Sequence, residues 1–311
     1  MSTHISNILK IVTITLYSMV SILGIIGNGL VIWIAGFRMK KTISAVWFLH
    51  LAIADLLCCS SIPLSIVDEA DISSHISHIS ANVHIPCIVI TIMLPLNMSA
   101  SVLLLTAMSV DRWVSVMWPF WAKVHRTHKR VRITVGIIWV MSLLMTCLAL
   151  YGTAWCMYNV KNLEYSNNIS LWMELFILFV IPFLIIVTSY VTIFLKLRKS
   201  NRPQRSQRPY RIITAVIFCF FICWAPYHIR PLIFVMGKNN EIQVGVVHSI
   251  SKFLAYLNSC INPIIYVFMG QDFRHSFLRS IPFRVERALR DPPDDPCGER
   301  EDCEPAGNTD L

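Results

Sequence analysis

Seven long apolar segments limit what this chain can fold into. They run roughly over residues 8–36, 44–67, 87–116, 132–153, 171–196, 210–236 and 245–269. Each is long enough to cross a bilayer as a helix, because a spanning helix needs about 20 mostly apolar residues. Charged residues make up only 14% of the 311 residues, whereas soluble domains carry roughly 25%. The sequence therefore predicts an all-α membrane protein that folds as a bundle of seven transmembrane helices.

Basic residues collect in alternate connections between the segments, and this pattern predicts the orientation. Since basic loops stay in the cytoplasm, we expect the N-terminus outside the cell and the C-terminus inside, in a multi-pass protein of the plasma membrane. The basic clusters would face anionic lipid of the inner leaflet or an acidic cytoplasmic partner, and they do not indicate nucleic-acid binding. The connections after the first, third and fifth segments contain Arg38, Lys40, Lys41, Lys123, Arg126, Lys129, Arg130, Arg132, Lys196, Arg198, Lys199, Arg202, Arg205, Arg208 and Arg211.

A few polar side chains stand inside the apolar segments at a similar depth. Asp55 lies in the middle of the second segment, and ionisable residues at such positions are expensive and usually functional. Oxygen ligands around one carboxylate suit a hard cation, which favours a sodium site. A hydrogen-bond network around a protonated or hydrated Asp55 is the alternative. The polar partners are Asn28, Asn97, Ser101, Asn258, Ser259 and Asn262.

Prolines interrupt the last three segments, and an Asp-Arg pair ends the third. Pro182, Pro226 and Pro263 each remove a backbone hydrogen bond and kink a helix, which offers hinges for rigid-body motion. Kinks also occur in helices that do not move. Asp111 can pair with Arg112 or release it into an intracellular cavity, although an arginine at this depth can also simply extend to water.

Together these features resemble the rhodopsin-like (class A) G-protein-coupled receptors across residues 8–285. The resemblance implies a seven-transmembrane receptor domain over residues 1–285, followed by a disordered acidic tail over 286–311. It also implies a signalling receptor and not an enzyme, a transporter or a channel. The motifs that carry it, in order, are GNGLV at 27–31, LAIAD at 51–55, Cys87, Asp111-Arg112, Trp139, Pro182 with Tyr190, CWAP at 223–226 and NPIIY at 262–266.

The resemblance gives a role to each matching residue. Trp113 follows Asp-Arg where the family usually has Tyr or Cys, and the usual Trp-x-x-Gly before Cys87 is absent. These departures affect the inner coupling region and the first outer loop. The implied roles are G-protein coupling for Asp111, Arg112, Tyr190 and Tyr266, toggle and hinge for Trp224, Pro226, Asn262 and Pro263, and a sodium pocket for Asp55, Asn97, Ser101, Asn258 and Asn262.

The extracellular side carries two predicted covalent features. Cys87 opens the third segment and Cys156 lies in the connection after the fourth, where an oxidising compartment favours a disulfide between them. Asn168 begins the glycosylation triplet Asn-Ile-Ser on the same side. Asn97 begins a similar triplet, but it lies within the membrane and should stay unmodified.

Within the class, the chain is most similar to chemoattractant receptors. The stretches at 38–57, 101–112, 224–228 and 261–273 resemble formyl-peptide, chemerin, anaphylatoxin and leukotriene B4 receptors. This implies an extracellular lipid or peptide ligand and signalling through Gi in chemotaxis and inflammation. Glu174 favours a leukotriene-type ligand, whereas Met269-Gly-Gln-Asp-Phe favours a peptide. A non-signalling decoy receptor and a Mas-related receptor are the alternatives.

Three residues are predicted to recognise the ligand, and the most informative is Arg230, four residues beyond Pro226. A buried guanidinium suits a carboxylate or a peptide C-terminus. His228 and Glu174 complete the predicted pocket. An internal ion pair between Arg230 and Glu174 is the alternative.

The C-terminal part of the chain predicts contacts on the cytoplasmic side. The amphipathic stretch 270–281 resembles the family's eighth helix, which lies on the inner membrane surface. From Pro282 onward the chain has no Ser and a single Thr, Thr309, but many acidic residues. We therefore expect fixed negative charge to replace tail phosphorylation in arrestin binding, with a merely solvated tail as the alternative. Thr309-Asp310-Leu311 resembles a ligand of PDZ domains, which bind a free C-terminus.

Overall fold

The computed structural model describes residues 2–38, 42–69, 84–158, 172, 174–199, 208–236 and 241–269, and every regular element in these ranges is helical. A short helix, Pro119–His125, follows the third long helix, and π-helical turns occupy Ile34–Arg38 and Phe176–Val180. The long helices are α1 (Ser2–Trp33), α2 (Ile43–Glu69), α3 (His84–Met117), α4 (His128–Tyr158), α5 (Ile181–Lys199), α6 (Arg208–Met236) and α7 (Glu241–Met269).

Within the described residues, six helices, α1 to α6, are long and apolar enough to cross a membrane. Helix α7 has 29 residues, which at about 1.5 Å per residue exceeds the roughly 30 Å hydrocarbon core of a bilayer. It carries several polar residues at mid-length, such as Lys252, Asn258 and Asn262. The all-α class predicted from the sequence is confirmed.

The helices pack as a bundle around a continuous apolar core. Helix α2 contacts α1, α3, α4 and α7, α3 also contacts α4 and α5, and α6 contacts α7. Aromatic rings join α6 to α5 and to the π-helical turn before α5, since the ring of Phe221 lies 4.9 Å from that of Phe183 and 5.2 Å from that of Phe179. Large apolar side chains such as Ile22 and Leu144 are exposed on the outside, as a surface in contact with lipid requires.

The bundle has two ends, which hold different groups of polar residues. We refer to the end at which α1 begins as the outer end and to the opposite end as the inner end. Successive long helices cross the bundle in alternate directions. The ends of α2, α4 and α6 and the beginnings of α3, α5 and α7 therefore belong to the outer end.

Prolines lie inside the helices without ending them. Helices α2, α3 and α7 continue through Pro63, Pro95 and Pro263. Before Pro182 the chain forms the π-helical turn Phe176–Val180. Proline has no N–H to bond the carbonyl four residues earlier, and a wider π-turn is a common way to accommodate that lost bond.

One placement made from the sequence is wrong, and others lie outside the described residues. Helix α4 continues to Tyr158, so Cys156 lies in its last turn and not in the connection after it. No proline interrupts the stretch from Tyr151, so the helix extends beyond the apolar segment. Asn168, the amphipathic stretch 270–281 and the acidic tail 286–311 lie outside the described residues.

Candidate functional site

Asp55 lies at the centre of a hydrogen-bond network between α2, α3 and α7. Its side chain is fully buried, and the amide groups of Asn97 and Asn262 donate to its two carboxylate oxygens at 3.0 and 2.7 Å. The hydroxyl of Ser259 donates in turn to the side-chain oxygen of Asn97 at 3.4 Å. Residues that the sequence placed at one depth therefore meet around a single carboxylate.

Further buried oxygen atoms lie on the same helix faces as this network. Ser101 is four residues from Asn97 and Asn258 is four residues from Asn262, so each shares a face with its neighbour. Among the described residues, the hydroxyl of Ser101 and the side-chain oxygens of Asn258 and Asn262 accept or donate no hydrogen bond. A carboxylate buried away from water needs a cation or a proton, and oxygens of this kind are the ligands of hard cations. The donor set therefore fits a sodium ion.

Helix α7 is tied to α1 and α2 at two levels. The amide of Asn28 donates to the backbone oxygen of Ser259 at 2.8 Å. Closer to the outer end, the hydroxyls of Ser65 and Tyr256 are 2.8 Å apart, and the ring of Tyr256 packs edge-on against that of Tyr17 at 5.3 Å. Hydrogen bonds thus fix the position of α7 both beside Asp55 and above it.

At the inner end of α3, Asp111 and Arg112 are bound to different partners. The carboxylate of Asp111 accepts two hydrogen bonds from the guanidinium of Arg126, both at 2.7 Å. Arg112 instead donates to the hydroxyl of Ser44 at the start of α2. The two charged side chains therefore bind residues of different elements, Asp111 the connection after α3 and Arg112 the start of α2.

The two tyrosines with an implied role in coupling both pack into the bundle. Tyr266 is 3% exposed and its ring lies 4.7 Å from that of Phe48. Tyr190 is partly buried against the apolar core. Nearby, the ammonium group of Lys196 in α5 donates to the backbone oxygen of Met117 in α3 at 3.0 Å. This contact holds the inner ends of α3 and α5 together.

Trp224 lies at the base of an aromatic group in α6. The side chain is fully buried, with its ring 6.1 Å from that of Phe220 and 5.5 Å from that of Tyr227. The backbone oxygen of Pro226 accepts a hydrogen bond from Ser251 of α7 at 3.2 Å. A movement of Trp224 would therefore change the contact between α6 and α7.

Arg230 lies near the outer end of α6 and faces α7. Its guanidinium contacts the imidazole of His248 and lies over the ring of Tyr227 at 5.1 Å. Glu174 is within electrostatic range of Arg230, but no ion pair joins these two described side chains. His228 is buried toward α5, with its ring 5.0 Å from that of Phe179. Arg230 and His228 thus share one end of the bundle but contact different neighbours, and Glu174 lies within electrostatic range of Arg230.

Two basic residues of the helices were missed in the sequence analysis. The indole N–H of Trp139 donates to the Nδ1 atom of His50 at 3.3 Å. The ammonium group of Lys252 lies 6.0 Å from the centre of the Tyr17 ring. Each is a basic group inside an apolar segment, and that was the available signal because such positions are seldom occupied without a role.

Comparisons with known proteins agree with this arrangement. The chain matches the family "7 transmembrane receptor (rhodopsin family)" over residues 27–266. It is 38% identical over 280 residues to the C3a anaphylatoxin chemotactic receptor of Oncorhynchus mykiss, which covers 85% of this chain and 75% of that protein. It is 33% identical over 312 residues to formyl peptide receptor 2 of Mus musculus, with 92% and 87% covered. It is 34% identical over 303 residues to chemerin-like receptor 1 of Homo sapiens, with 86% and 78% covered.

These relatives are signalling receptors and not enzymes, and they share the chemoattractant class that the sequence motifs indicated. The region matched to the family, residues 27–266, includes the end of α1, all of α2 to α6 and most of α7, together with the motifs on them. The chain therefore belongs to the rhodopsin family of seven-transmembrane receptors, and within it to the chemoattractant G-protein-coupled receptors.

Proposed function

We propose that this chain is a plasma-membrane receptor that binds an extracellular chemoattractant with an acidic group and signals through a Gi-type G protein. The observation that carries the proposal is the outer part of α6, where Arg230 stands above the buried Trp224 with the ring of Tyr227 in contact with both. A guanidinium in such surroundings pairs well with a carboxylate. A peptide C-terminus or an acidic lipid would supply that group.

Ligand binding would shift the bundle between two arrangements, as a ligand does when it prefers one of them. A carboxylate bound to Arg230 would compete with His248 and so change the contact between α6 and α7. Pro226 lies between Arg230 and the inner half of α6 and lets that half tilt. At the inner end, the carboxylate of Asp111 binds Arg126, and Arg112 donates to Ser44. Arg112 can contact the G protein once Tyr190 and Tyr266 have moved.

A panel of chemoattractants tests this proposal. Cells that express the receptor are treated with C3a, C5a, a formyl peptide, chemerin or leukotriene B4, and inhibition of cAMP formation is measured with and without pertussis toxin. Arg230→Ala should lower the potency of the active ligand by at least about tenfold, because charged hydrogen bonds contribute roughly 1.5–3 kcal/mol. Arg230→Lys keeps the charge but loses the planar fork, and equal surface expression controls for folding.

The same panel separates signalling from capture. A ligand that binds the receptor but changes no G-protein signal would identify a decoy receptor. Unchanged potency of Arg230→Ala would show that the carboxylate binds elsewhere. If no member of the panel binds, none of these compounds is a ligand of the receptor and the proposal is wrong.

We further propose that Asp55 binds a sodium ion together with Asn97, Ser101, Asn258 and Asn262. Support comes from the buried carboxylate and the oxygens on the neighbouring faces of α3 and α7. Agonist affinity should fall when sodium chloride replaces choline chloride, and Asp55→Asn should remove that dependence. Persistence of the sodium effect in the variant would place the ion elsewhere.

The extracellular modifications are proposals of the same kind. Cys87 lies in the first turn of α3 and Cys156 in the last turn of α4, both at the outer end. We expect a disulfide between them, and mass spectrometry of surface-expressed receptor would detect it or find both thiols free. We expect glycosylation of Asn168, which a glycosidase would reveal as increased mobility on a gel.

The cytoplasmic partners complete the proposal. An eighth helix over 270–281 would lie on the inner membrane surface, and the acidic tail would support arrestin binding without phosphorylation. Recruitment of arrestin should then survive inhibition of receptor kinases and weaken when residues 291–304 are neutralised.

A further inference from the structure

We propose that the acidic end of the chain, residues 291–311, binds a basic surface at the inner end of its own bundle and hinders access of the G protein. The basic surface consists of exposed side chains from the connection after α3, the start of α4 and the end of α5. They are Lys123, Lys129, Arg130, Arg132, Lys196, Arg198 and Lys199. The binding itself does not depend on the ligand, whereas its effect on signalling rests on the proposed function.

One contact brings the two parts of the basic surface together. The ammonium group of Lys196 near the end of α5 donates to the backbone oxygen of Met117, the last residue of α3. The short helix that contains Lys123 begins two residues later and leads into α4. Both parts therefore lie on elements that contact the inner end of α3, which carries Arg112. A segment bound to this surface would lie beside the residue that is expected to contact the G protein.

The positive charge of the basic surface is not offset by acidic residues in the same parts of the chain. No Asp or Glu occurs between Asp111 and Glu164 or between Glu174 and Glu241. The carboxylate of Asp111 already accepts two hydrogen bonds from Arg126. Exposed charges of one sign repel one another and together attract an anionic segment. The surface therefore favours an acidic partner.

The end of the chain carries a matching negative charge, although residues 270–311 lie outside the described residues. Residues 291–311, the acidic segment, contain eight acidic side chains and one basic side chain, which gives a net charge of −7. Residues 270–290 contain five arginines and two acidic residues instead. The anionic inner leaflet attracts the basic part and repels the acidic segment. The basic surface of the bundle is therefore the favourable partner for the acidic segment.

The chain between α7 and the acidic segment is long enough to reach the basic surface. Helix α7 ends at Met269, and residues 270–290 follow it. With 270–281 coiled as the expected eighth helix, they span up to about 18 Å within that helix and about 30 Å beyond it. Seven helices that pack roughly 8–10 Å apart form a bundle about 30 Å wide. The acidic segment can therefore cross the inner end of the bundle from α7 to α3.

A tether of this length makes even a weak ionic contact effective. Short linkers hold a segment at an effective concentration in the millimolar range. At about 2 mM, a contact with a dissociation constant of about 1 mM would be occupied for roughly two thirds of the time. Release of the acidic segment would then raise the accessible fraction of receptors about threefold. Because salt screens exposed charges, the contact should weaken as the ionic strength rises.

Crosslinking of the full-length receptor tests the contact. The receptor is placed in phosphatidylcholine nanodiscs that each hold a single copy, and a carbodiimide joins carboxylates to amines that touch them. Mass spectrometry then identifies the lysines joined to the tryptic peptides 291–300 and 301–311. We expect crosslinks to the lysines of the basic surface, and their loss in about 0.5 M salt. Lys10, near the outer end, is the internal control and should form none.

Neutral variants of the acidic segment test the effect on signalling. Replacement of every Asp and Glu between 291 and 304 by Asn and Gln should raise basal G-protein activation about threefold at equal surface expression, as the released fraction predicts. A variant with residues 291–304 in scrambled order keeps the charge and is the matched control, which should behave like the wild type. The neutral variant should also recruit less arrestin, so the two signals should change in opposite directions.

The outcomes distinguish this contact from other occupants of the surface and from the proposed function. Absence of crosslinks in phosphatidylcholine nanodiscs would refute the contact. Crosslinks that disappear when phosphatidylserine is added would mean that anionic lipid occupies the surface, which also refutes the proposal. Crosslinks combined with unchanged basal activation in the neutral variant would refute the effect on the G protein. A receptor that forms the crosslinks but responds to no ligand of the panel would contradict the proposed function and leave the contact standing.

Discussion

Gly24 gives a prediction that can be worked out directly from distances. It lies on the buried side of α1, where α1 meets α2 and α7. A Cβ atom added there would lie 2.2 Å from the Sγ atom of Cys59 and 3.1 Å from that of Cys260. Non-bonded atoms are in favourable contact only near 3.5–4.0 Å. Since Cys59 is fully buried, Gly24→Ala must separate the helices or force Cys59 out of its rotamer.

The expected loss of stability follows from two opposing effects. Inserting a methyl group into a packed core costs about 1–3 kcal/mol. Alanine favours a helix over glycine by about 1 kcal/mol, which offsets part of that cost. The overlap with Cys59 exceeds 1 Å, so we expect a net loss of about 1–2 kcal/mol. At roughly 2–4 °C per kcal/mol for large domains, the melting temperature should fall by about 2–8 °C.

Thermal unfolding of purified receptor in one detergent tests this prediction, with tryptophan fluorescence as the signal and a fixed heating rate because such unfolding is often irreversible. Gly29→Ala is the matched control, since no atom lies within 4 Å of its added Cβ. It should melt at or slightly above the wild-type temperature. Cys59→Ala combined with Gly24→Ala should recover part of the loss. If Gly24→Ala melts as high as Gly29→Ala, the packing argument is wrong.

Two further predictions concern polar contacts. Arg126→Ala frees both carboxylate oxygens of Asp111, which can then bind Arg112. Because this pair is partly exposed, we expect a shift of about 1–2 kcal/mol and a fall of roughly fivefold or more in agonist-induced G-protein activation. Activation is measured as the change in energy transfer between labelled G-protein subunits. An agonist-induced change equal to that of the wild type would contradict the prediction. Ser65→Ala and Tyr256→Phe should each lower thermal stability, and a double-mutant cycle should give a coupling of about 1 kcal/mol. Purely additive effects would mean that the two hydroxyls do not interact.

The helices could be predicted from the sequence because each apolar segment is far longer than a core helix requires. The network around Asp55 could also be predicted, since few polar residues occur at that depth and their side chains must form hydrogen bonds with one another. Helix ends were harder to place. Cys156 was assigned to a loop because hydropathy ends where the membrane ends, whereas α4 continues to Tyr158. The end of a helix depends on backbone hydrogen bonds and capping residues, and hydropathy carries no information about either.

Contacts between separate helices could not be predicted because they depend on how each helix is rotated. Glu174 was the acidic partner considered for Arg230, yet Arg230 contacts His248 because α6 packs on α7. Arg126 was counted only as part of a basic loop. Its pairing with Asp111 depends on the path of the short helix Pro119–His125, which no local pattern encodes.

Helix α7 forms polar contacts with neighbouring helices at several levels between the outer and inner ends. Lys252 stands near its outer end, Tyr256 contacts α2 one turn below, and Asn262 donates to Asp55 about 15 Å below Lys252. His248 near the outer end contacts Arg230, so a ligand at Arg230 that turns this rigid helix must also move the amide of Asn262 relative to the carboxylate of Asp55. The ligand and the proposed sodium ion would therefore change each other's affinity by the same factor. Pro263 follows Asn262 directly, so the helix can bend just where this coupled movement must be passed to Tyr266 and the inner end.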